Sequence, residues 1–259
     1  LKTSEPTLNQ QQPVISVRNV SKRFRFWDDR PTSFKTVLVN ALRGNFEFGS
    51  KREFDALKDI SFDIYPGEFV GIMGRNGAGK STLMKLLAGI YQPSSGEIHV
   101  NGQIAPLIEL GAGFHPELSG YENIFLNAAV LGFGRTATEE ALPQILAFAE
   151  LGEKIHMPIK NYSSGMLVRL GFSVATHLTA PVILIDEILA VGDLAFQQKC
   201  IAKVHELNQA GKTIVLITHS PDDVARHCGR CIVLNQAQKV FDDQAPQGAD
   251  VYRSLFASV

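Results

Sequence analysis

Nine consecutive residues, Gly74-Arg75-Asn76-Gly77-Ala78-Gly79-Lys80-Ser81-Thr82, limit this chain more than any other feature. They match GxxxxGK[ST], a pattern that works only between a strand and a helix. That context is present: an apolar run, Phe69–Met73, precedes it, and KSTLMKLLAG, with helical spacing, follows. Glycines let the main chain wrap closely around phosphates with its N–H groups pointing inward. The helix N-terminus adds a favourable dipole there. Lys80 is then placed to reach the β- and γ-phosphates of a nucleotide, and Ser81 to hold Mg²⁺.

The rest of the chain supplies the fold such a loop needs. Strand-length apolar runs are expected at Val14–Val20, Ile60–Ile64, Phe69–Met73, Glu97–Val100, Ile104–Leu110, Val182–Asp186, Thr213–Thr218, Cys231–Leu234 and Lys239–Asp242. Helices are expected at Lys80–Ala88, Gly120–Leu131, Thr138–Leu151, Gly165–Leu178, Leu194–Ala210, Pro221–His227 and Pro246–Ala257. Val182–Ile185 and Ile214–Ile217 are apolar throughout, as strands covered on both faces are, and should be neighbours in a central parallel sheet. The helices between residues 120 and 178 have no strand between them, which predicts a helical insert rather than another βαβ unit. The class is α/β, with residues 1–13 as a loose tail, 14–245 as one nucleotide-binding unit and 246–259 as a C-terminal helix.

Two further strands end in chemistry. Val182-Ile-Leu-Ile runs into Asp186 and Glu187. Buried beside the strand before the glycine loop, it would deliver both carboxylates to the sheet edge where Mg-ATP lies. Asp186 is placed for the magnesium shell, and Glu187 to polarise the attacking water as general base. Ile214-Val-Leu-Ile-Thr ends at His219, which from the same edge could reach a γ-phosphate.

Taken with Tyr162-Ser163-Ser164-Gly165-Met166, this set resembles the ABC ATPase family over residues 14–242. The family signature is usually LSGGQ; here Ser163 and Gly165 match, whereas Ser164 and Met166 depart. The resemblance implies a P-loop core with a parallel central sheet, an antiparallel β subdomain and a helical insert at about 115–180. It also implies a homodimer in which each ATP lies between one copy's P-loop and the other copy's Ser163, Ser164 and Gly165. Asp193 resembles the D-loop residue that crosses that interface. The family's glutamine after the strand at 104–110 is missing, and Glu109 is the nearest polar substitute, able to contact Mg²⁺. An aromatic side chain stacks on adenine in the family; Phe24 fits, with Phe26 and Trp27 as alternates, although an aromatic there could equally be core.

Within the family, LIELGAGFHPELSGYENI, YSSGMLVRLGFSVA and DEILAVGDLAFQQKC resemble ATPases that export O-antigen, teichoic acid and related glycans. That resemblance implies a separate multi-spanning permease partner and a peripheral place on the cytoplasmic face of the cell membrane. Residues 31–43 add an amphipathic helix, with Phe34, Val37, Leu38, Ala41 and Leu42 on one face. It either packs on its own domain or docks at the membrane boundary.

Composition excludes little but excludes it usefully. A net charge of −1 gives no general case for nucleic acid. A soluble ABC ATPase acting on ribosomes or DNA would usually carry two nucleotide domains or a long coiled coil, and the signature argues against a P-loop kinase or GTPase. Cys228 and Cys231 form a lone CxxC, read as buried free thiols in a reducing compartment.

Overall fold

The computed structural model describes residues 12–27, 51–107, 113–178, 180–186 and 193–256. The predicted helix at 31–43, Glu109 and Glu187 lie outside the described residues.

The main sheet has the order β5(Ile104–Leu107), β6(Val182–Ile185), β7(Thr213–Thr218), β3(Phe69–Met73), β8(Arg230–Asn235) and β9(Gln238–Gln244). All neighbours are parallel except β9, which returns antiparallel to β8. As the all-apolar runs predict, β6 and β7 are neighbours, with Val182 opposite Thr213. One expectation fails: β6 is not beside β3, because β7 lies between them and pairs with both. Local apolarity identifies a buried strand, but strand order is set by crossovers that no local pattern encodes.

Every residue of β3, β6 and β7 is buried. Alternate side chains enter different cores, the period-two consequence of a sheet covered on both faces. Val70, Ile72, Val215 and Ile217 face one cluster with Leu83, Met84 and Leu87 of helix α1(Lys80–Leu87). That cluster also takes Ile15, Val17 and Ile60 from a smaller antiparallel sheet of β1(Ile15–Trp27), β2(Lys51–Ile64) and β4(Ser95–Val100). Phe69, Met73, Ile214 and Leu216 face the opposite cluster, filled by α4(Ser164–His177), α5(Leu194–Gln209), α6(Pro221–His227) and α7(Ala245–Phe256).

A third apolar cluster joins α2(Gly120–Val130), α3(Arg135–Ala149) and α4 through Ile124, Ala128, Ile145, Ala149, Leu170 and Val174. These helices fall between β5 and β6 in the chain, where the insert is expected. Ser119 starts α2 with a capping box, accepting from Glu122 N while Glu122 reaches back to the Ser119 N–H.

β1 and β2 run longer than predicted, pairing out to Phe24–Phe54 and Trp27–Lys51. Their outer half is held by cross-strand ion pairs, Arg23–Asp55 at 2.6 Å and Arg25–Glu53 at 3.1 Å. Charges of opposite sign stabilise such a ribbon without leaving the apolar alternation by which strands are recognised.

Candidate active site

The glycine loop leaves β3 at Met73 and enters α1 at Lys80. It tightens through a bond from the Ala78 N–H to Arg75 O at 3.0 Å. Gly79 caps α1 with φ +106°, and a Cβ there would stand 2.5 Å from Ala56 O and 2.6 Å from Leu57 Cδ2. Glycine is required at that point, because the small sheet abuts the loop backbone there. Gly77 also has positive φ, +82°, but a Cβ on it would meet none of the described residues within 4 Å.

Lys80 is only 8% exposed, and its Nζ donates to Gly74 O at 2.7 Å and Arg75 O at 3.3 Å. The loop thus holds a buried cation in its own curve. The first turn of α1 itself holds no acidic residue, so the helix's own first turn adds no negative charge at the positive end of its dipole. Ser81 is exposed at this end and Thr82 half-buried.

β7 is the strand adjoining β3, and it brings His219 to the same edge. The Ser220 N–H donates to Thr218 Oγ1 at 3.0 Å, and Ser220 then caps α6 by accepting from Asp223 N. Arg75, Asn76, Gly77, Ala78 and His219 line one cavity of about 750 Å³. Asp186, half-buried, follows the last residue of β6 one strand further along. Parallel strands end on the same side, so loop, carboxylate and imidazole gather at the carboxyl edge of the sheet.

The remaining candidates form a second group. Ser163 caps α4, its Oγ accepting from Met166 N at 3.3 Å. Ser163 and Ser164 are exposed, and among the described residues a Cβ on Gly165 would meet only Ser163 Oγ, at 3.9 Å. Asp193 caps α5, accepting from Phe196 N at 2.9 Å, and pairs with Arg169 of α4 at 2.7 Å. The Phe196 backbone bond first, and Arg169 second, hold its carboxyl below the usual range. Any interface role for Asp193 therefore coexists with two bonds inside its own chain. Arg169 also pairs with Glu150 and lies 4.5 Å over the Phe196 ring, which ties the start of α5 to α4.

Phe24 is half-buried and meets Tyr91 edge-on, with ring centroids 5.6 Å apart, while Lys22 Nζ stands 5.3 Å from its ring. It does not line the cavity of the glycine loop. Phe26 is 55% exposed, and the Trp27 side chain lies outside the described residues. Cys228 and Cys231 are free and buried, as the sequence predicts, and Cys200 is likewise free and buried. Burial pushes the thiols of Cys200 and Cys231 up to about 12, and that of Cys228 further still.

Sequence reasoning missed the far wall of the cavity: Asn235 and Gln236 in the β8–β9 turn, and Tyr252 and Leu255 on α7. No motif marks them. Gln236 and Ala237 turn with φ of 48° and 67°, without the glycine that usually signals such a turn.

Comparison with known proteins shows the family and the fold. The family profile described as ABC transporter matches residues 57–190. The chain is 43% identical over 246 residues to the O-antigen export system ATP-binding protein RfbB of Klebsiella pneumoniae, covering 95% of this chain and 100% of that one. It is 48% identical over 217 residues to the protein of the same name in Myxococcus xanthus, of which it spans 50%. The teichoic acids export ATP-binding protein TagH of Listeria monocytogenes is 38% identical over 224 residues, 65% of its length. Among solved structures, an ATP-binding subunit of an ABC transporter superposes with a TM-score of 0.71 at 23% identity, covering 94% of this chain and 93% of that one. A dimeric ATP-binding cassette in a post-hydrolysis state, bound to ADP and Pi, gives 0.69 at 22%, covering 89% and 98%.

Proposed function

Because this chain belongs to the ABC transporter family, we propose that it is the ATP-hydrolysing subunit of a system that exports a polysaccharide through a separate membrane protein. The observation that carries the chemistry is the shared cavity, which Arg75, Asn76, Gly77 and Ala78 of the glycine loop line together with His219. The export reading is supported by the names of the relatives, which are ATP-binding proteins of O-antigen export and teichoic acids export. Among the described residues no helix is long and apolar enough to cross a membrane, so the path for the glycan is assigned to a partner. The protein then works at the cytoplasmic face, and residues 31–43 are the proposed docking helix.

In this reading Lys80 exchanges its bonds to loop carbonyls for the β- and γ-phosphates, and the loop N–H groups orient the chain of phosphates. Glu187, next after Asp186, takes the proton from the attacking water. His219 donates to the γ-phosphate from the opposite wall. The donor set suits Mg²⁺: a hydroxyl at Ser81 and a carboxylate at Asp186 are hard oxygen ligands, and magnesium usually takes few protein ligands beside phosphate and water. Glu109 is a further candidate ligand. When bound, the ion neutralises charge that develops on the phosphate oxygens. Phe24 is the proposed adenine contact, by the face not taken by Lys22.

The exposed N-terminus of α4 supports assembly as two copies. Ser163, Ser164 and Gly165 offer hydroxyls and backbone N–H groups that favour an anion, and here they would meet the nucleotide of the second copy. Glu187→Gln tests this. It should bind ATP, lose at least ~100-fold in turnover, and elute as a dimer when ATP and magnesium are present. Hydrolysis at the parental rate would remove Glu187 as base. A monomer under all conditions, with the membrane partner supplied, would remove the two-copy site.

A further inference from the structure

The last helix has a place that the proposed chemistry has not used. α7 turns back from β9 and lies on β8 so closely that a Cβ on Gly248 would stand 2.6 Å from Cys231 Cβ and 2.7 Å from its Sγ. Ala245 and Ala249, on the same face, are fully buried. Small residues thus set the helix hard against the sheet, and this fixes where its C-terminal turn points. That turn carries Tyr252 and Leu255 into the wall of the same cavity that Arg75, Asn76 and His219 line.

A second tie binds α7 to the histidine loop. Arg253 pairs with Asp222 at 2.5 Å, and Asp222 lies in the first turn of α6, directly after the Ser220 cap and His219. Arg253 also pairs with Asp250 of its own helix at 2.9 Å. One helix therefore touches the cavity on one side and the segment carrying His219 on the other.

We propose that α7 is a wall of the nucleotide site and that Tyr252 is a positioning residue, its ring fixing the approach of His219 to the γ-phosphate. The inference rests on the reading of His219 given above. It assigns the ring, rather than the hydroxyl, the decisive part, because a wall acts by excluding water and limiting side-chain rotation. Lys80 and the loop N–H groups supply nucleotide affinity, so loss of this wall should slow turnover and leave binding nearly intact.

The test compares Tyr252→Ala, Tyr252→Phe and His219→Ala in the full chain, using ATPase kinetics, nucleotide affinity and thermal melting. Tyr252→Ala should lose about tenfold in kcat with nucleotide Kd changed less than about twofold. Tyr252→Phe should recover most of that loss. Parental kcat in Tyr252→Ala, or an equal loss in Tyr252→Phe, overturns the proposal. So does a kcat loss that disappears when assays are made well below the melting temperature. Should Tyr252→Ala not fold, Leu255→Ala tests the same wall at a residue 42% exposed, with a smaller kcat loss expected and an unchanged one refuting. The two readings separate cleanly: an active His219→Ala removes the role of the histidine itself, whereas an inactive His219→Ala beside a normal Tyr252→Ala removes only the wall.

Discussion

Replacing Gly79 by alanine should damage both stability and nucleotide binding, and the geometry sets how much. At φ +106° any Cβ meets left-handed strain, which costs about 1–2 kcal/mol. The added atom would also lie 2.5 Å from Ala56 O, a backbone atom that cannot rotate away. Crowding of that kind typically costs ~1–3 kcal/mol, so the total is about 2–5 kcal/mol. Gly77 is the internal control. It shares the positive φ, but no described residue stands within 4 Å of where the Cβ would go, so the strain of ~1–2 kcal/mol is what applies. Urea unfolding of the parent, Gly77→Ala and Gly79→Ala measures the difference. Gly79→Ala should be less stable than Gly77→Ala by about 1–3 kcal/mol, or roughly 2–10 °C in melting temperature. Because the clash pushes the loop off the small sheet, its affinity for ATP should fall at least ~10-fold. Equal stability of the two variants would refute the claim that the small sheet fixes the loop.

Gly165→Ala should behave in the opposite way, since among the described residues only Ser163 Oγ comes near that Cβ, at an ordinary 3.9 Å. Its melting temperature should match or slightly exceed the parent, while ATP-dependent dimerisation and turnover fall; unchanged turnover would place the second copy elsewhere. Native protein at neutral pH should resist thiol reagents, because thiols pushed to about 12 at Cys200 and Cys231, and higher at Cys228, leave roughly one thiolate in 10⁵ or fewer. Denaturant should release all three, and rapid labelling of the native state would contradict their burial. His227 meets His205 at 2.9 Å and is depressed below its ordinary 6.5, first by burial and then by that neighbour, with Asp223 opposing and Arg226 assisting. Its contribution is complete above pH 6.5 and is lost as pH falls through the lower folded value, because the unfolded chain takes the proton first. Melting temperature should therefore decline below pH 6.5, and less steeply in His227→Gln; identical slopes would remove the pair as the cause.

What the sequence disclosed, and what it withheld, follows from how far each determinant reaches along the chain. The glycine loop was legible because its strand, turn and helix are contiguous, and the structure begins α1 at Lys80 as the pattern requires. Strands β3 and β7 were legible to the residue because burial on both faces leaves unbroken apolar runs. The ribbon of β1 and β2 was not, since ion pairs between strands carry its outer half. Strand order escaped for a different reason: β7 separates β6 from β3 through connections that leave no trace in either strand. The same argument explains the missed wall. Tyr252 reaches the cavity only because Gly248 permits a close approach to Cys231, seventeen residues earlier in the chain and on another element. Glycines thus divide by what surrounds them. Gly79 and Gly248 are explained by crowding within the chain, whereas Gly165, at an exposed helix start, is not. At Gly165 the described fold leaves room for a side chain, so Gly165→Ala probes the proposed contact with a second copy without first disturbing its own protomer.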